Sequence, residues 1–196
     1  MTQQPKPDPL ILVYKELTDR ELKKLQAISN ITQSGGGARD LRVPAKTFRS
    51  AMHRIFTTTK TASNGKTIRT AQVSYRNGND VGTTELEYWP PTDSRPREDR
   101  VARVHASPAL GGRLPASNRG RVFVLFIRWS NGEVGCYYAY ENDLRRRGVW
   151  GPEVRDAILG CMTDTDLKNA NRAGNKVSVQ GYIDFTNGEV FCHASV

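Results

Sequence analysis

FIRWSNGEVGC (residues 126–136) and YIDFTNGEVFC (182–192) are the two stretches on which the fold turns. They match position by position at an offset of 56 residues: apolar or aromatic, Ile, charged, aromatic, hydroxyl, then Asn-Gly-Glu-Val. Asn-Gly between alternating runs is a strong hairpin signal, because both central residues of a type I′ turn need φ > 0. Each copy therefore reads as a β-hairpin. Their likeness fits either pseudo-symmetry in a barrel or two independent Asn-Gly turns.

Working outward, the chain from residue 67 onward is a series of short β-type runs: TIRTAQVSY, TTELEYW, RVARVH, RVFVLFIRW, EVGCYYAY, KVSVQGYIDF and EVFCHASV, several alternating with period two. Helical spacing is confined to shorter pieces. LTDRELKKLQAI (17–28) places Thr18 and Glu21 as a capping box ahead of Leu22, Leu25 and Ile28. PAKTFRSAMHRIF (44–56) puts Pro44 at a first helical position and Phe48, Met52, Ile55 and Phe56 on one stripe, which reads as core. GPEVRDAILG and TDTDLKNANRAG read as two short helices, the second capped by Thr163. The opening MTQQPKPDP (1–9) reads as a flexible lead and residues 10–196 as one domain. The expected class is mainly β with short helices (α+β), a barrel or sandwich of about seven strands with helical plugs.

Charge narrows the function. The chain has 196 residues, a formal charge of +9 and 37% hydrophobic content. Arginine outweighs lysine, which favours forked contacts to phosphates or base edges and makes nucleic acid the leading partner. The absence of an 18-residue apolar run or a signal-peptide layout predicts a soluble, intracellular protein with no membrane partner. Cys136, Cys161 and Cys192 form no C-x-x-C and are odd in number, so they read as core or free thiols, with neither disulfide framework nor zinc site.

Three basic stretches carry the chemistry. SGGGARDLRVP (34–44) lacks the Gly-Lys-Ser/Thr ending of a P-loop and the G-x-G-x-x-G of a dinucleotide site, so nucleotide cofactors are not expected. Its glycines allow close backbone approach, while Arg39 and Arg42 offer forks and Asp40 an acceptor. SRPREDRVAR (94–103) alternates Arg95, Arg97, Arg100 and Arg103 with Glu98 and Asp99, entering a strand with Val101 and Val104 inward. Arginine pairs with guanine and carboxylates accept from cytosine, so mixed signs suit base reading; the plain alternative is a solvated strand edge with internal ion pairs. HASPALGGRLPASNRGR (105–121) adds Arg113, Arg119 and Arg121 as phosphate contacts.

The order and spacing of SGGGARDLRVP, RPREDRVAR, GRVFVLFIRWSNGEVGCYYA and GPEVRDAILG, about Gln33 to Gly160, resemble the N-terminal effector domain of EcoRII-type restriction endonucleases. That DNA-binding pseudobarrel is shared with plant transcription factors of the B-three type. The resemblance implies two arms gripping the major groove. The first maps to Gln33, Ser34, Gly36, Gly37, Arg39 and Asp40, the second to Arg95, Arg97, Glu98, Asp99 and Arg100. It further implies reading of a short GC-containing pseudopalindrome such as CCWGG, allosteric control of a separate catalytic nuclease domain, and a prokaryotic cytoplasm. Two departures are Gly37-Ala38 in place of the relatives' His-Gln pair, and a helix rather than a strand before the loop.

Two other functions are open to the sequence. Asp8 with Glu21 and Lys23 fits a loose PD…ExK pattern for Mg²⁺-dependent DNA cleavage, although Glu21 is already explained as a cap partner. Tyr75, Tyr88, Trp89, Tyr137 and Tyr138 could stack the bases of a single strand, although their alternation suggests that many are core. His53, His105 and His193 complete no triad and read as structural.

Overall fold

A computed structural model describes residues 7–18, 21–22, 40–77, 80–93, 96–104, 120–170 and 178–195. Ten strands form one curled, mixed sheet, a half-barrel rather than a set of about seven strands. In chain order they are β1 (Pro9–Glu16), β2 (Leu41–Pro44), β3 (Thr58–Thr61), β4 (Thr67–Asn77), β5 (Asp80–Trp89), β6 (Glu98–Ala102), β7 (Val122–Trp129), β8 (Val134–Tyr140), β9 (Ser178–Asp184) and β10 (Glu189–Ser195). Three helices lie wholly among the described residues, α1 (Ala45–Ile55), α2 (Glu141–Arg145) and α3 (Pro152–Ala170); of the helix expected over 17–28, Glu21 and Leu22 are helical and residues 19–20 and 23–28 lie outside the described residues. The sheet runs β10-β9-β1-β7-β8-β4-β5-β6-β2, with β3 on β4. The β4–β8 pair is parallel and the other pairs are antiparallel.

All seven expected runs are strands; β1, β2 and β3 are additional. β1 lies inside the sheet, between β7 and β9, and LILVY is accordingly apolar on both faces. Ile11 and Val13 join the layer under α1, while Leu12 and Tyr14 join the layer under α3. β7 divides in the same way, Val122, Val124 and Phe126 facing one layer and Phe123, Leu125 and Ile127 the other. A strand covered on both sides reads as a continuous apolar run, without alternation. The supposed lead is fastened at its end: the Asp8 N–H donates to Ser130 Oγ at 3.1 Å, and Pro9 already belongs to β1.

α1 closes the open side of the half-barrel. Phe48, Met52, Ile55 and the following Phe56 are fully buried, as their spacing requires. Pro44 is the cap residue rather than the first helical residue. Two arginines clamp the helix to opposite flanks of the sheet. Arg49 Nε and Nη2 donate to the Asp99 carboxylate on β6 at 3.2 and 3.1 Å, and Arg54 forks onto Asp184 on β9.

The two Asn-Gly repeats are hairpins, but not of type I′: only the glycines, Gly132 (φ 88°) and Gly188 (φ 76°), lie at positive φ. In both, the Asn side chain accepts from the Glu N–H two residues on, at 3.1 Å from Asn131 and 2.9 Å from Asn187. β7 and β9 then dock in the same register on the two edges of β1: Ile127 and Ile183 both face Leu12, and Phe126 and Tyr182 both face Val13. The second strands break the likeness. Arg128 pairs with Val134 in the first hairpin, whereas Asp184 pairs with Glu189 in the second, a slip of one residue. A one-residue slip turns every side chain to the other face. Val134 is therefore buried and its counterpart Val190 is 56% exposed. β8 and β10 lie on opposite sides of their partners while the matched Ile127 and Ile183 share one face, a combination that no two-fold rotation of the hairpins produces.

The slip decides the cysteines. Cys136 on β8 packs under α1 as a free, buried thiol, whereas Cys192 on β10 faces α3. There it forms a disulfide with Cys161, correcting the expectation of three unpaired thiols. α3 is likewise one continuous helix rather than two. Thr163 sits inside it, its hydroxyl donating to the Leu159 carbonyl at 3.1 Å instead of capping a new N-terminus.

Candidate nucleic-acid interface

β2 and β6 form a four-pair antiparallel ladder at one border of the sheet, Leu41 opposite Val101, Arg42 opposite Arg100, Val43 opposite Asp99 and Pro44 opposite Glu98. Period-two alternation sorts these residues. Leu41, Val43, Asp99 and Val101 are buried, and Arg42, Glu98 and Arg100 lie on the outward face. Two ion pairs cross that face: Arg42 Nη1 meets Glu98 Oε2 at 2.6 Å, and Arg100 Nη1 meets Asp40 Oδ2 at 3.0 Å. The Arg100 guanidinium also lies over the Trp89 ring, 4.9 Å from its centroid, and its buried Nε has no acceptor among the described residues.

Asp99 is not a surface group. Its carboxylate is fully buried, held by Arg49 and by the Tyr88 hydroxyl, so it anchors α1 instead of facing a ligand. Burial, reinforced by that hydrogen bond, raises the Tyr88 phenol well above its ordinary value. Arg97 and Glu98 are exposed. Arg103, at φ 63°, turns toward Glu85 and Glu87, 3.8 and 3.6 Å away. Gln33, Ser34, Gly36, Gly37, Arg39, Arg95, Arg113 and Arg119 lie outside the described residues.

Strand direction separates the points at which the two expected arms join the described sheet. Because β2 and β6 are antiparallel, the glycine-rich segment enters the ladder at Leu41–Val101 while residues 94–97 enter at the other end, beside Pro44–Glu98. The segment that shares its end with the glycine-rich one is 103–121. Their far ends meet as well: the Leu17 N–H donates to the Val122 carbonyl at 2.8 Å. Segments 18–40 and 103–121 thus leave and rejoin the described chain at the same two places. Together they hold eight lysines and arginines against three carboxylates.

The competing sites do not assemble. Asp8 precedes β1 and Glu21 follows it, so the eight-residue strand holds them about 25 Å apart. Glu21 accepts from the Thr18 N–H and hydroxyl, both at 3.0 Å, and pairs with Lys15 at 3.2 Å, while Lys23 lies outside the described residues. Among the described residues no cluster of His, Cys, Asp or Glu could hold a metal. The five aromatic candidates are engaged internally: Tyr88 on Asp99, Trp89 on Glu87 and under Arg100, Tyr75 across Gly82, Tyr137 against Gly135 and Tyr138 against the core under α1. His53 stands edge-on to Tyr88 and His193 stacks on Phe191, whereas His105 lies outside the described residues. Burial, then Arg69 and Arg49, lower the His53 pKa, favouring its neutral form.

Among the described residues no helix is long and apolar enough to cross a membrane. Compared with known proteins, the chain matches no family model, no curated protein and no solved structure.

Proposed function

We propose that this chain is a sequence-specific double-stranded DNA binding module, a pseudobarrel of the kind its sequence resembles. On this reading it is the effector half of a type II restriction endonuclease, reading a short GC-containing site such as CCWGG and regulating a separate catalytic domain. The observation that supports the reading is that two arginine-bearing stretches of the sequence, 18–40 and 103–121, have adjacent ends at both of their roots, Leu41 by Val101 and Leu17 by Val122, next to the outward Arg42 and Arg100. Phosphate neutralisation by such a concentration of cations supplies affinity, and guanidinium forks beside carboxylates supply base discrimination.

Selection of bound duplexes from a random-sequence pool tests this directly. Enrichment of one short motif is expected. Arg100→Ala should cost about 1–3 kcal/mol on the selected site and erode the preference for it. Arg113→Ala should weaken all duplexes alike. Failure to enrich any motif, or tighter binding to single strands than to duplex, would overturn the reading.

A further inference from the structure

The sequence RRRGVWG (145–151) follows β8 and has no part in the interface described above. Its three arginines are not equivalent. Arg145 is held by the Glu141 carboxylate, with Nη2 and Nε at 2.8 and 3.1 Å. Burial is the largest single influence and acts upward, but the Arg145 hydrogen bond, the Arg121 N–H and the two arginine charges together hold the Glu141 pKa below its ordinary value. The Arg146 N–H donates to the Asp143 carbonyl at 3.3 Å, but the Arg146 and Arg147 side chains are exposed and meet no acceptor among the described residues. Arg42, Arg49, Arg54, Arg100 and Arg103, by contrast, each rest on a carboxylate.

The two free cations are displayed on a fixed corner. Leu144, two residues before Arg146, is fully buried in the α3-side core, and beyond the pair Arg147 bridges to Trp150 around Gly148 at φ 84°. The corner abuts one root of the basic segments. The Glu141 N–H donates to the Arg121 carbonyl at 2.8 Å, and the Glu141 carboxylate accepts from the Arg121 N–H at 3.3 Å. Gly120 leaves the room: a Cβ there would press on the Glu141 side chain.

The register gives the distance to the other root. Ala102 faces Glu87, which faces Thr70; five residues further along β4, Tyr75 faces Cys136, and β8 continues to Tyr140. Nine residues of extended chain amount to about 30 Å along the sheet. That is close to one turn of a B-form duplex, about 34 Å.

We propose that Arg146 and Arg147 form a second phosphate-binding corner for duplex DNA, about one helical turn from the β2–β6 ladder and at the opposite root of the basic segments. The inference rests on the DNA-binding reading and adds a site to it. Two cations bound to phosphate contribute affinity without base preference, and their removal shows in the salt dependence.

The test measures duplex binding of the full chain against salt concentration for the wild type, Arg146→Gln/Arg147→Gln and, as a control in the 62–66 turn, Lys66→Gln. The double variant should melt like the wild type, and its slope of log K against log salt should be shallower by about 1.8, equally on cognate and random duplexes. Lys66→Gln should leave the slope unchanged. An unchanged slope in the double variant, with the wild type binding normally, overturns the corner and leaves the DNA reading standing. A comparable loss with Lys66→Gln overturns it too, since the effect is then bulk charge. A wild type that binds no duplex at low salt overturns both.

Discussion

Asp99→Asn separates a base-reading role for this residue from the structural role its geometry assigns. The carboxylate is fully buried and accepts three hydrogen bonds, two from the Arg49 fork and one from the Tyr88 hydroxyl. An amide of the same shape has one acceptor oxygen, and in either orientation its NH2 would face an Arg49 N–H donor to donor. Breaking a fully buried pair costs about 3–5 kcal/mol, but the Arg49 side chain is 43% exposed and regains water, so about 2–3 kcal/mol is the reasoned loss. For a domain of this size that lowers the melting temperature by about 4–12 °C. Urea unfolding at neutral pH measures it, alongside duplex binding at a temperature where the variant is folded. A variant of wild-type stability with altered site preference would refute the clamp and restore Asp99 as a reader.

Three more outcomes follow from the packing. Hydrogen bonding from Arg54 holds the Asp184 carboxyl at about 2, below its ordinary 3.8, so its stabilisation is complete above pH 3.8 and disappears as pH falls through about 2. With the half-exposed Arg54 screened, about 1–2 kcal/mol should vanish over that window in acid titrations of the wild type and be absent in Asp184→Asn. Gly181→Ala should destabilise by several kcal/mol in denaturant melts, because a Cβ there would collide with the Phe191 carbonyl and the Tyr14 hydroxyl; Tyr14→Phe, which removes a buried hydroxyl that has no partner among the described residues, should be neutral or stabilising. Reducing Cys161–Cys192, which spans 31 residues, should lower stability by about 3–4 kcal/mol in melts with and without a thiol reductant, while Cys136→Ala should not alter that difference.

Much of the architecture was legible wherever one face of an element meets water. The seven alternating runs and the α1 stripe of Phe48, Met52, Ile55 and Phe56 are such cases. What escaped had no alternation to show. β1 is apolar on both faces, and β2 and β3 are four residues each, too short for a period. The Asn-Gly turns were readable, but the one-residue slip between them was not, since register comes from what each second strand packs against. Cys192 faces Cys161 only because of that slip. The inward turn of Asp99 could have been found: it stands two residues before Val101, and period two places both on the core side.

The charged face of the ladder also bears on how a ligand could use it. Self-paired charges on a border strand deter pairing with another chain, which is reason enough for Arg42–Glu98 and Arg100–Asp40 to exist. The pairs nevertheless differ in what a competing phosphate or base edge must displace. Arg42 and Glu98 are 34% and 45% exposed at their side chains, so water reclaims the carboxylate and the exchange costs about 0–1 kcal/mol. Asp40 is only 6% exposed, and withdrawing Arg100 would strip a counter-charge from a carboxylate that water cannot reach. A guanidinium has five donors, and Asp40 engages Arg100 through Nη1 alone, so Arg100 can accept a second partner without releasing the first. On the DNA-binding proposal, Arg100, held by Asp40 and backed by Trp89, would meet a base edge already oriented, whereas Arg42 would have to leave Glu98 to reach a phosphate. Discrimination between sequences should therefore fall more steeply on loss of Arg100, and binding strength alone on loss of Arg42.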